Sequence, residues 1–250
     1  MLRPVSTVTG GRLGSEAEIG ELSGYRGSRP VRIGNAAAQQ IQLDVFGPVA
    51  DLLAMLAERN AALSSEHWRL VERMVEAVEQ RWMLPDHGIW EVRRLRQHHV
   101  HSKVMCWQTV DRGLRVAAYL GQHRPAWQAL RDQIAADILA HGWNNDRRAF
   151  CATYDDGEAD AASLLVGLSG LLPPTDQRVL STIALVRQSL GVGGTLYRYR
   201  YDDGLPGPEG GFVLCSSWLI QACAAAGWLD EARHLFDAYC AFAGPTGLFA

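Results

Sequence analysis

Ser64 to Trp107 reads S-S-E-H-W-R-L-V-E-R-M-V-E-A-V-E-Q-R-W-M-L-P-D-H-G-I-W-E-V-R-R-L-R-Q-H-H-V-H-S-K-V-M-C-W. Its first part puts Trp68, Val71, Val75, Val78 and Trp82 on one face at helical spacing. Ser64 or Ser65 suits the cap of that helix, and Glu66 falls in its first turn, where an acid favours the helix dipole. The period then stops. Leu84–Gln97 carries Pro85 and Gly88 and reads as a loop. A second helix runs from His98 to about Leu120, with Val104, Trp107, Val110, Leu114 and Ala117 or Ala118 on its buried side. A helix, a long polar and aromatic loop, and another helix form the unit from which the rest of the chain can be read.

Working outward, the same unit recurs. Upstream, residues 1–23 are polar and dotted with glycine, and an irregular segment is expected there. Gly24–Asn35 is a cationic loop with Arg26, Arg29 and Arg32 and no acid, suited to anions or sugar hydroxyls. A helix is expected from about Ala36 to Arg59, where Ile41, Val45, Val49, Leu52, Leu53 and Leu56 keep helical spacing. Downstream, Pro125 fits the first turn of a helix ending at His141. The connector Gly142–Glu158 centres on N-N-D-R-R flanked by aromatics, a candidate small hairpin. A short helix over Ala159–Leu171 follows, then one capped by Thr175 or Asp176 and ending at Leu190. After the longest loop, two helices cover about Phe212–Ala226 and Asp230–Phe242.

Long connectors at 24–35, 84–97, 142–158 and 190–211, and from 243 onward, alternate with short ones near 60–64, 121–124, 171–175 and 227–229. That is a chain of αα-hairpins repeating roughly every 50–60 residues. Antiparallel pairs place every second connector at the same end, so the long loops gather on one face. The expected fold is all-α: eight helices forming an incomplete (α/α)6 toroid of αα-hairpins, with its pocket built by loops. Residues 24–250 are expected to form this one domain.

Composition narrows the function classes. Nearly half the residues (48%) are apolar and 20% charged, a soluble globular profile. A net charge of -3 supplies no basic field for nucleic acid. Uncharged runs are broken by Gly, Pro or acids, so no membrane span is expected, and the N-terminus lacks a signal peptide's apolar core. The five cysteines form no C-x-x-C pair and fall mostly in helical patterns, as expected of free thiols in the cytoplasm.

Ordinary packing explains least in the loop around Trp90 and Glu91. Apolar surroundings favour the protonated form of a carboxyl group, which would suit Glu91 to general acid work in glycoside hydrolysis. A surface glutamate paired with Arg93 or Arg94 stays open beside that reading. His98, His99 and His101 do not share a face of one helix turn and have no Cys or Asp partner at ligand spacing, so no metal is expected. Lys103 and Asp111 fit a solvated helix face as well as a pocket. Tyr197–Gly211, Y-R-Y-R-Y-D-D-G-L-P-G-P-E-G-G, holds tyrosines that are costly to expose and that stack on sugar rings. If extended, it puts Tyr197, Tyr199 and Tyr201 on one side and Arg198 and Arg200 on the other. Asp155, Asp156 and Glu158 read as a solvated turn. G-V-G-G at Gly191 lacks the context of a phosphate loop, and no serine nucleophile elbow is present.

Taken in order, several motifs resemble bacterial glycoside hydrolase family 15, the glucoamylase, glucodextranase and trehalase-like group. They are Y-R-G-S-R-P-V-R-I-G-N-A-A with Q-L-D-V-F-G, P-D-H-G-I-W-E-V-R followed by H-S-K-V-M-C-W and D-R, G-W before A-F, and D-G-L-P-G-P-E-G-G-F with L-C-S-S-W-L. The resemblance implies inverting hydrolysis of an α-linked glucoside or oligosaccharide, with Glu91, the acid after Trp90, as general acid. Trp90 would shape the subsite and desolvate the acid. Arg200, or Arg198 as the other match, would hold the sugar. His101 and Lys103 would lie behind the acid and tune it or bind substrate. Glu209 would be a pocket or structural acid. The resemblance places the general base after the family's eleventh helix, and these eight helices look like the fourth to eleventh of twelve. The early W-L-R-D-type motif has no counterpart here. The resulting expectations are a weak or inactive isolated chain, self-association through uncovered helix faces, and no cofactor. A non-catalytic carbohydrate-binding remnant and a structural helical scaffold remain the rival readings.

Overall fold

The computed structural model describes residues 4–154, 156–204 and 209–249. Asp155, expected in a solvated turn, and residues 205–208 of the loop after Tyr201 lie outside them. Among the described residues the helices are α1 (Phe46–Glu58), α2 (Ser65–Arg81), α3 (Val100–Tyr119), α4 (Pro125–His141), α5 (Leu165–Leu168), α6 (Gln177–Leu190), α7 (Val213–Ala225) and α8 (Leu229–Cys240). The expected caps are present. Ser64 accepts from His67 N in a capping box, Pro125 opens α4, and Asp176 accepts from Arg178 N at 2.9 Å.

The helices alternate between two layers. α1 packs on α3, α3 on α5 and α5 on α7, making an inner row, while α2, α4, α6 and α8 back onto it. Burial follows the layers. Val100 through Val110 of α3 are all buried, whereas α2 buries only the stripe Val71, Met74, Val75 and Val78. Close approach of α1 to α3 is set by Gly47, where a Cβ would lie 2.8 Å from Met105 Sδ. This is an arc of αα-hairpins with the helix order of an (α/α)6 toroid. Leu52 and Met55 on α1, and Leu229 and Phe236 on α8, are exposed apolar residues of that arc.

Outer helices α2, α4 and α6 each lead into the next inner element through a long connector pinned by short antiparallel pairing. Asp86 pairs with Gln97, residues 143–144 with 149–150, and 191–192 with 195–196. The connectors are also tied to one another: Val100 N donates to Ala152 O at 3.0 Å, and Ala161 N to Arg198 O at 2.9 Å.

Three local expectations change. Residues 17–19, read as irregular, form a strand pairing with 31–33. The short helix expected over Ala159–Leu171 is a 3-10 turn (Ala161–Leu164) running into α5. The helix expected from Ala36 begins only at Phe46. Asn35 caps a 3-10 turn (Ala36–Gln39), and the chain then runs non-helically because the Pro85–Gly88 loop takes its backbone groups. Leu43 N donates to the Asp86 carboxylate at 2.8 Å, and His87 N donates to Ile41 O at 3.0 Å. Tertiary partners here outweigh a helical apolar period.

Candidate active site

Trp90 is the hub. Its indole N–H donates to both carboxylate oxygens of Asp160, at 3.0 and 2.9 Å. Around its ring stand Tyr199 (centroids 6.2 Å apart), Phe212 (6.2 Å, edge-on) and Trp218 (5.9 Å). The Arg198 guanidinium lies 5.4 Å from the Trp90 centroid and 5.1 Å from that of Tyr199. Arg198 also pairs with Glu209. Three separate connectors therefore meet on one indole, with the Arg198 cation over its ring and the Asp160 carboxylate at its N–H.

Glu91 follows the hub in a left-handed conformation, φ 57°. For a non-glycine residue this costs on the order of 1–3 kcal/mol and persists only where surrounding structure enforces it. Gln40 supplies part of that enforcement, its Nε2 donating to Glu91 O and Val92 O, both at 3.2 Å. Gly88, just upstream, is also left-handed, and a Cβ there would lie 2.9 Å from the His99 ring. The two arginines open as partners for Glu91 make their ion pairs elsewhere, Arg93 with Glu16 at 2.8 Å and Arg94 with Asp202 at 2.6 Å, while the Glu91 charge still acts on Arg93. The Arg93 hydrogen bond holds Glu16 down to about 2. Among the described residues no ion pair holds the half-buried Glu91 carboxylate.

The expected site residues separate into groups. Trp90, Arg198 and Glu209 come together, with Glu91 next to Trp90 in the chain. Arg200 is exposed and sits 4.8 Å over Tyr197, so Arg198 and not Arg200 is the arginine at the hub. The loop is not a simple extended strand: Tyr199 and Tyr201 do stack, at 4.3 Å, but Arg198 lies over Tyr199. His101 and Lys103 lie inside the core. Lys103 is 1% exposed and its ammonium donates to Trp82 O and to Leu84 O (2.8 Å), anchoring the end of α2. Burial lowers the pKa of Lys103. Its side chain also borders a cavity of about 190 Å³ with Asp137, His141 and Tyr154, separate from the Trp90 cluster. His101 Nδ1 has no partner among the described residues, and burial, with His99 beside it, brings its pKa down to about 3. No three His, Cys, Asp or Glu side chains gather to hold a metal among the described residues.

Three buried acids, Asp44, Asp86 and Asp160, were not singled out from the sequence. Asp160 is pushed up to about 6 by burial, opposed by hydrogen bonds from Trp90, Ala162 N and Tyr201. Its place before A-A-S-L is an N-cap signal that could have revealed it. Asp44 is pushed up to about 7 by burial and by Asp86. Asp86 accepts from Leu43 N and from Ser102 Oγ at 2.7 Å.

The family model for glycosyl hydrolases family 15 matches residues 2–246. The chain belongs to this family. It is 42% identical over 240 residues to a trehalase of Mycobacterium tuberculosis, covering 94% of this chain and 35% of that one. It is 39% identical over 240 residues to a trehalase of Mycolicibacterium smegmatis, covering 94% of this chain and 36% of the relative. The chain thus spans little more than a third of the length of these family 15 relatives. In structure it resembles a glycosidase variant solved in complex with glucose, with a TM-score of 0.72 at 21% identity over 88% of this chain and 60% of that one. That likeness speaks for the fold. No helix among the described residues is long and apolar enough to cross a membrane.

Proposed function

We propose that this chain carries the acid half of an inverting α-glucoside hydrolase, with trehalose as the favoured substrate. Glu91 donates a proton to the leaving glycosidic oxygen. Trp90 and its aromatic surround form the apolar platform for the sugar ring, and Arg198 binds sugar hydroxyls from the same side. The observation that carries the reading is the Glu91 carboxylate itself: it follows the Trp90 hub while Arg93 and Arg94 pair with other acids. The two trehalase relatives favour trehalose among α-glucosides.

An inverting mechanism needs a second carboxylate about 6.5–9.5 Å from the first, with a water between them. Glu209 is paired to Arg198, which suits it to orienting that guanidinium better than to activating water. We assign the base to another carboxylate, in the stretch that follows the family's eleventh helix. Glucose release from trehalose, measured for wild type and Glu91→Gln in a polypeptide that carries this chain together with the base, tests the reading. A loss of about 10²-fold or more is expected, and unchanged release in the variant would overturn it.

A further inference from the structure

Asp160 is 5% exposed and comes from a different connector than Glu91. Its carboxylate accepts the Trp90 N–H on both oxygens, the Ala162 N–H at 2.7 Å and the Tyr201 hydroxyl at 3.3 Å. Asp160 is itself located by a backbone bridge to Tyr199. On the other side of Glu91, Gln40 grips the carbonyls of Glu91 and Val92. The strained Glu91 backbone is therefore clamped from its carbonyl side by Gln40 and from the side of the preceding residue by whatever holds the indole.

We propose that Asp160 is the positioning residue for Glu91: by fixing the Trp90 indole it holds the following residue in its left-handed conformation and aims its carboxylate at the sugar platform. This rests on the reading of Glu91 as the acid. The rival is that Asp160 only caps the 3-10 turn through Ala162 N. A cap would stabilise that turn without Trp90, whereas a positioning residue must act through it.

Amide and indole resonances of the isotope-labelled 250-residue chain separate the two, with no turnover required. Burial places the Asp160 titration near pH 6, with Tyr201 bonded to it and Asp156 also raising it. The Trp90 indole N–H and the Glu91 amide are expected to share a transition there. Asp160→Asn should abolish it in both and speed exchange of the indole proton about tenfold or more, the scale of a lost hydrogen bond to a charged group. Trp90→Phe keeps both carboxylates and the cap, and should abolish the transition at the Glu91 amide; it also serves as the second variant if Asp160→Asn fails to fold. A Glu91 amide still following that transition in Trp90→Phe, or not following it in wild type, overturns the proposal. In turnover, Asp160→Asn should lower kcat about tenfold with KM changed less than about threefold. If Glu91→Gln leaves hydrolysis intact, the functional reading fails while the resonance result stands on its own.

Discussion

Replacing His101 with leucine should make the protein relatively more stable the lower the pH. The imidazole is buried in α3, its Nδ1 has no partner among the described residues, and burial takes its pKa from 6.5 to about 3. Between those values the unfolded chain binds a proton that the folded chain refuses, so this group removes stability as pH falls. Each pH unit in that window is worth about 1.4 kcal/mol, or about 2.7 kcal/mol between pH 6.5 and pH 4.5. The net wild-type curve will not display it cleanly. Asp44, raised to about 7, and Asp160, raised to about 6, are acids that the fold holds protonated to higher pH than the unfolded chain does. Their contribution is present at low pH and is lost as pH rises through those values, which offsets the histidine. The readout is therefore a difference. Urea unfolding of wild type and His101→Leu, followed by circular dichroism from about pH 7.5 to about pH 4.5, gives ΔΔG at each pH. The variant should gain on wild type by about 1.4 kcal/mol per unit below pH 6.5. Asp44→Asn should show the opposite sign, its stability relative to wild type improving as pH rises from about 4 to about 7. Parallel curves across the whole range would refute the claim that these groups are buried in their neutral forms.

Other outcomes follow from the same geometry. Lys103→Met removes the anchor on Trp82 O and Leu84 O but also relieves a buried ammonium, so a net loss of about 1–3 kcal/mol in urea unfolding is expected. Arg198→Ala should weaken trehalose turnover by about 10²-fold, whereas Arg200→Ala should change it less than about threefold, since only Arg198 lies on Trp90; steady-state kinetics of the two variants decides between them. The exposed residues Leu52 and Met55 on α1 and Leu229 and Phe236 on α8 should drive concentration-dependent association. Sedimentation velocity should show it weakened by Phe236→Glu.

How much of this was readable from the residues depends on where the information sits. The helices of Ser65–Arg81 and Pro125–His141 were legible because their caps and apolar faces are local. The alternation of loop lengths was legible too, and with it the face on which Trp90 and Glu91 stand. The segment 40–45 was not, because its apolar spacing is helical and only the distant Asp86 and His87 draw it out of a helix. Arg198 and Arg200 are indistinguishable in Y-R-Y-R-Y, and the choice between them is made by the ring each one covers. Lys103 looked exposed or functional because lysine seldom enters a core; the open carbonyls at the end of α2 that receive it cannot be seen in one dimension. Asp160 was hidden for a related reason, since its cap signal is local but its bond to Trp90 spans two connectors.

The central claim is that Glu91 protonates a leaving oxygen, and leaving groups that differ in their need for a proton test it most directly. Trehalose requires that proton; α-glucosyl fluoride does not, because fluoride departs unaided. Both are assayed, as a ratio of wild type to Glu91→Gln, in a polypeptide that carries this chain together with the base. Glu91→Gln should lose about 10²–10⁴-fold on trehalose and less than about tenfold on the fluoride. Equal losses on the two substrates, or none on trehalose, would contradict the assignment.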